Sequence, residues 1–139
     1  YWSRGRRYRN VELVQIDING LNNIYALDCF EKEFRKAVDE NWKENPPFLR
    51  YQTKLLRDLA ILDDQKEKAI KLPEFEKLTN EIGLFSIRHP HSNLNLRVIY
   101  TVTEGVVILI TAFLEKSRND YTKAIRVSRD RYEWIISED

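Results

Sequence analysis

Four cations in the second half of the chain, Arg88, Arg97, Lys116 and Arg118, accompany its two histidines, His89 and His91. Arg and Lys stabilise negative charge that develops on an anion such as phosphate. Imidazole is the side chain that titrates near neutrality, whereas Arg titrates too high to move protons there. His89 and His91 are therefore the titrating candidates of this set. The bland alternatives are solvated strand and loop charges, and a polar turn His89-Pro90-His91-Ser92-Asn93. No carboxylate or Cys stands beside the two imidazoles, so no metal site is expected. A lone cysteine, Cys29, allows neither an internal disulfide nor a Cys-rich zinc site, and it reads as an inert thiol beside Phe30. There is no Gly-rich phosphate loop, no Gly-x-Ser-x-Gly and no His-Glu-x-x-His, so no cofactor is expected.

The chain has 139 residues, with 32% charged and 42% hydrophobic, which suits one folded domain over residues 1–139. No apolar run is long enough to span a bilayer, and no signal peptide is visible. The lone Cys fits a reducing compartment, and a cytoplasmic location is expected. The chain begins with Tyr and contains no Met, so its true start is expected to lie upstream. A net charge of +1 hides asymmetry: Tyr1–Arg9 carries four arginines and no acid. Residues 116–131 carry Lys116, Arg118, Lys123, Arg126, Arg129 and Arg131 against Asp120 and Asp130. Acid is concentrated in Asp28–Glu44 and Asp58–Glu81, so one end of the molecule is expected to be basic.

The elements that must position these groups follow from periodicity. Tyr1–Asn10 reads as a mobile basic tail, and Val11–Ile18 as a strand ending at the Asn19-Gly20 turn signal. Asn23–Trp42 reads as a helix with Leu27, Phe30, Phe34 and Val38 on one face. Asn45-Pro46-Pro47 breaks the chain, and Phe48, Tyr51, Leu55, Leu59 and Leu62 repeat the helical period, so a helical hairpin is expected. Leu72-Pro73-Glu74-Phe75 marks a second break. Leu84–Arg88, Leu94–Val102 and Val106–Phe113 read as strands, the last two joined by a tight Glu104-Gly105 turn. Alternation places Asn95, Arg97, Ile99 and Thr101 on one face and Leu96, Val98 and Tyr100 on the other. Asn119 or Asp120 caps a last helix that runs to about Ile135. The expected fold is α+β: a mainly antiparallel four-stranded sheet with an N-terminal helical hairpin and a C-terminal helix, in the order β-α-α-β-β-β-α. The face carrying Arg97 is expected to be partly open.

This order and three of its segments resemble the RelE/ParE superfamily of toxins, in its HigB-like branch. The first is Leu72-Pro73 followed by Gly83-Leu84-Phe85-Ser86-Ile87-Arg88, against a family strand Gly-Leu-Trp-Glu-Leu-Arg. The second is Leu96-Arg97-Val98-Ile99-Tyr100, against Tyr-Arg-Val-x-Tyr. The third is Ile108–Phe113 leading to Leu114-Glu115-Lys116, against an apolar strand ending in Phe-x-Lys-Lys. The match spans residues 72–131. The chain departs from the family at Ser86, at Glu115 and at Asn119-Asp120-Tyr121, where the family has Glu, Lys and a Thr-Pro cap.

The resemblance implies a RelE-like toxin of a type II toxin–antitoxin system. Its implied activity is ribosome-dependent messenger RNA cleavage by attack of the ribose 2′-hydroxyl on the adjacent phosphate, an endoribonuclease chemistry that needs no metal. On that reading Arg97, Arg88, Lys116 and His91 are the catalytic set. Arg118, Tyr100, His89 and Asn95 hold RNA by phosphate contact, stacking and hydrogen bonding. The implied partners are messenger RNA on the ribosome and a cognate antitoxin, a small helix-turn-helix protein, with no membrane. The alternatives are a ParE-like gyrase poison and a non-catalytic binding module of the same fold.

Overall fold

The computed structural model describes residues 7–8, 11–16, 20–41, 47–91 and 94–137. In chain order these form β1 (Arg7–Tyr8), β2 (Val11–Gln15), β3 (Ile24–Leu27), α1 (Phe30–Asn41), α2 (Pro47–Gln65), a 3-10 turn (Lys66–Lys71), β4 (Phe75–Lys77), β5 (Phe85–His91), β6 (Leu94–Thr103), β7 (Val106–Glu115) and α3 (Arg118–Ser137). The sheet is mixed. Six strands run in the order β2-β3-β7-β6-β5-β4, and β1 extends the β2 edge as a seventh. Every pairing is antiparallel except β3 with β7.

This corrects the expected four-stranded, mainly antiparallel sheet with an N-terminal helical hairpin. The hairpin follows three strands, and the sheet contains a parallel pair. The principal cause is Ile24-Tyr25-Ala26-Leu27. All four residues are buried, because β3 lies between β2 and β7 and is covered on both faces. A short apolar run is compatible with either helix or buried strand, and Leu27 happens to continue the helical spacing of Phe30, Phe34 and Val38. Tertiary pairing decides it, and α1 begins at Phe30 rather than Asn23. Carboxylate contacts fix the start of β3, where Asp63 at the end of α2 accepts the Asn23 N–H at 2.8 Å. β4 is the other unexpected strand, formed where Phe75 pairs with Ile87. Of the Tyr1–Asn10 segment only Arg7–Tyr8 is described; Asn19 and Asn45-Pro46 also lie outside the described residues.

Helices cover both faces. Phe30, Phe34 and Val38 of α1 and Tyr51, Leu55, Leu59 and Leu62 of α2 pack on Ile24, Ile87, Leu96, Val98, Tyr100 and Leu109. On the opposite face Ile125 and Ile135 of α3, with half-buried Tyr121 and Tyr132, pack on Tyr25, Leu84, Ile99, Ile108 and Ile110. The face expected to be partly open is therefore largely roofed by α3. β7 is consequently apolar on both sides, as its sequence requires.

The β6–β7 turn has positive φ at Glu104 (51°) and Gly105 (78°), between the closing pair Thr103 and Val106. Positive φ at both central residues matches the twist of a two-residue hairpin. A bulge then interrupts the ladder: Ile99 pairs with Thr111, but Tyr100 pairs with Leu109, so Ile110 is the extra residue. Gly83 also has positive φ (72°), and a Cβ there would collide with the Tyr132 ring of α3. Gly83→Ala is therefore expected to lower the urea midpoint, costing about 2 kcal/mol from backbone strain and the displaced ring. An unchanged midpoint would show that Tyr132 does not rest on Gly83.

Candidate functional site

Arg97 stands on β6 facing α3, as strand alternation requires. Its Nε donates to Glu115 Oε1 at 2.8 Å, and its Nη1 donates to Glu76 Oε1 at 3.1 Å and to Ser86 Oγ at 3.3 Å. The Tyr121 ring of α3 lies over the guanidinium, 5.2 Å from Cζ to the ring centroid. The Arg97 side chain is only 13% exposed. Burial works against its charge, but the two carboxylates outweigh that and push its pKa up. Asn95 stands opposite Glu115 and donates to the same oxygen at 3.2 Å.

Arg88 lies directly across the β5–β6 ladder from Arg97. Like charges so placed repel. Glu76 and Glu115 relieve that on one side, and on the other Arg88 Nη2 donates to the Pro73 carbonyl at 2.8 Å. Arg88 Nε and Asn95 Oδ1 are buried without a hydrogen-bond partner among the described residues. The structure thus brings Arg97, Arg88 and Asn95 together, and adds Glu76, Ser86, Glu115 and Tyr121.

Glu115 reaches this cluster only because of the bulge. The pairing set by the Glu104-Gly105 turn would put Glu115 opposite Leu94 and on the hairpin face. The extra residue at Ile110 shifts the register by one, so Glu115 lies opposite Asn95 on the Arg97 face.

Lys116 and Arg118 flank the junction of β7 and α3, and both are exposed. Asp120, in the first turn of α3, reaches back to the segment that precedes the helix. Asp120 accepts the backbone N–H groups of Lys116 and Ser117, each at 3.0 Å, and the Ser117 hydroxyl at 3.3 Å. Ser117, not Asn119 or Asp120, directly precedes α3, and Asp120 supplies the carboxylate that reaches back to its N–H. Lys116 and Arg118 stand on either side of Ser117 at this junction.

His89 and Tyr100 lie elsewhere. Both face the helical hairpin, 1% and 0% exposed. His89 Nε2 is 2.9 Å from Asp58 Oδ2, its ring stacks on Tyr51, and Lys54 Nζ donates to the same oxygen at 3.0 Å. Tyr100 stacks on Phe85, and burial pushes its phenol pKa up. Neither ring faces the Arg97 cluster. His91 closes β5, and its side chain lies outside the described residues. Among the described residues no group of His, Cys, Asp and Glu is arranged to hold a metal ion.

The cluster can do two things chemically. Arg97 and Arg88 can stabilise an anion if one carboxylate yields its place, and Glu115 can accept a proton. Sequence reasoning missed Glu76, Glu115 and Tyr121 because each meets Arg97 from a different element. Tyr121 shares the inner side of α3 with Ile125, at helical spacing. No family model matches the chain, and no curated protein or solved structure matches it at a significant level. Among the described residues no helix is long and apolar enough to cross a membrane.

The Asp58–His89–Lys54 group generates a pH-dependent prediction. Burial disfavours the Asp58 charge, but the hydrogen bonds from His89 and Lys54 outweigh it, and its carboxyl is held below the usual range. Such a group adds stability that is complete above about pH 4 and is lost as pH falls through the lowered folded value. Asp58→Asn is expected to cost about 3 kcal/mol at pH 7, and less at pH 3. Urea unfolding at the two pH values checks this; equal losses would contradict it.

Proposed function

We propose that this chain is the toxin of a type II toxin–antitoxin pair and cleaves messenger RNA on the ribosome, in the cytoplasm. The observation that carries the reading is the gathering of Arg97, Arg88 and Asn95 with Glu115 on one sheet face, next to Lys116 and Arg118 at the start of α3. The resemblance of residues 72–131 to HigB-like toxins supports it. In the proposed reaction Arg97 stabilises the phosphate as negative charge grows on it, with Arg88 behind. Glu115, better placed than the buried His89, takes the proton of the ribose 2′-hydroxyl; the hydroxyl oxygen bonds to phosphorus as the bond to the 5′-oxygen breaks, leaving a 2′,3′-cyclic phosphate, and the departing 5′-oxygen takes a proton from water. Tyr121 offers a ring on which a base can stack. A small helix-turn-helix antitoxin is the proposed regulator, by family resemblance alone.

One observation favours a second reading. Arg97 is held by two carboxylates, so a phosphate must displace Glu76 or Glu115 to reach it. A non-catalytic binding module would need no such exchange. Expression in a bacterial host, with message ends mapped by primer extension, separates the readings. The toxin reading expects growth arrest and ribosome-linked cuts. Arg97→Ala is expected to abolish them with the circular dichroism spectrum retained, and Glu115→Gln to slow cleavage by about a hundredfold or more. An Arg97→Ala protein that remains fully toxic removes the central assignment. Intact messages with a DNA-damage response would indicate gyrase poisoning, and absence of toxicity would leave the binding module.

A further inference from the structure

β7 is paired on both sides for only part of its length. β3 covers Val107, Ile108 and Leu109, while β6 continues alongside to Glu115. Beyond Leu109 the β3 side of β7 has no partner strand among the described residues. Thr111–Leu114 of this stretch line a groove of about 350 Å³ between α1 and α3. One end is closed by a strap around the sheet edge. Arg131 of α3 donates to both carboxylate oxygens of Glu33 of α1, at 2.8 and 2.9 Å, and to the Ile110 carbonyl at 3.0 Å. The Thr111 hydroxyl donates to the same Glu33 at 2.7 Å.

Uncovered strand edges are templates for another extended chain, and folded proteins normally cover or blunt them. The floor and walls here are partly apolar, from Ala37, Ala112, Leu114 and Val127. Four cations, Lys36, Lys116, Lys123 and Arg131, line the groove against two carboxylates, Glu33 and Asp120. Glu33 and Arg131 cancel as an ion pair, and Asp120 is turned to the Lys116 and Ser117 N–H groups, so three lysines face a single carboxylate. The groove is therefore positive and apolar, with a row of strand backbone along it.

The geometry points to a peptide-docking site: an extended acidic segment of a partner protein, alternating small apolar and acidic residues, adds to β7 as a strand between α1 and α3. Charge selects this occupant. The chain's own Tyr1–Arg9 segment carries four arginines and no acid, and would meet Lys36 and Lys123 with like charge. A second copy docked edge to edge would set the same lysines against each other. A strand added here would be about five residues long, or roughly 17 Å.

The test uses the full chain and a fluorescein-labelled eight-residue peptide of alternating glutamate and valine, followed by fluorescence anisotropy. Saturable binding is expected, weakened about tenfold or more, or about 1.4 kcal/mol, by the double variant Lys36→Glu, Lys123→Glu. A lysine–valine peptide of equal length is expected not to bind. Two further peptides carry N-methyl groups on alternate amides, in one register or the other. Strand addition expects one register to lose binding and the other to keep it. Hydrogen exchange is expected to show new protection within Thr111–Glu115 on binding. Equal binding of both methylated peptides would overturn the proposal, because charge alone would then explain it. So would protection, in the free monomer, of the amides in that stretch that point away from β6, tighter binding of an octameric oligouridylate than of the peptide, or a dimer that the peptide does not dissociate.

Discussion

β7 is the constraint on which the rest of the molecule depends. It is the middle strand of the sheet, parallel to β3 on one side and antiparallel to β6 on the other. Both its faces are buried, so the chain must supply a helical layer for each. The α1–α2 pair covers one face and α3 the other. A strand with Val-Val-Ile-Leu-Ile at its start cannot leave either face in water without losing most of the burial free energy that orders it. The parallel β3–β7 pair follows from the same demand. The chain must cross over to bring a strand alongside β7, and α1 with α2 lies in that connection.

The bulge at Ile110 changes what β7 can do. Before it, the strand is an apolar filler between two layers. After it, the inverted register turns Glu115 toward Arg97, and the strand leads into the capped start of α3. The same region is where β3 stops. One stretch of β7 therefore carries the carboxylate of the polar cluster on its β6 side and an uncovered edge on the other. Thr111, at the turning point, hydrogen-bonds Glu33 and so connects the strand to α1.

Charge is spent within the fold more than it is displayed. Arg97 joins three strands and a helix through Glu76, Ser86, Glu115 and Tyr121. Arg131 ties α3 to α1 around the sheet edge, and Arg129 of α3 holds Glu81 at 2.6 Å. Each tie replaces hydration with fixed partners, which specifies how the layers are set against each other. It also explains how a chain with a net charge near zero keeps a basic rim. Lys36, Lys123 and Arg118 remain exposed around the cations that are paired inside.

The sequence by itself determined the local elements whose signals are self-sufficient. The alternation through β6 assigns Arg97 and Asn95 to one face and Leu96, Val98 and Tyr100 to the other, because side chains along a strand must alternate. Glu104-Gly105 sets the β6–β7 turn, and the three-and-four spacing of Phe30, Phe34 and Val38 makes the buried face of α1. Tertiary structure alone decided that Ile24–Leu27 is a strand, since an apolar run of four suits either element until a partner edge is present. It decided that α3 roofs the Arg97 face and that His89 and Tyr100 lie under the helical hairpin, away from the cluster. It also decided the place of Glu115. A bulge has no local sequence signature in Ile108–Ala112, yet one inserted residue exchanges the two faces of everything after it. The cation of the candidate site was legible from alternation; its carboxylate partner depended on a register that only the assembled sheet could set.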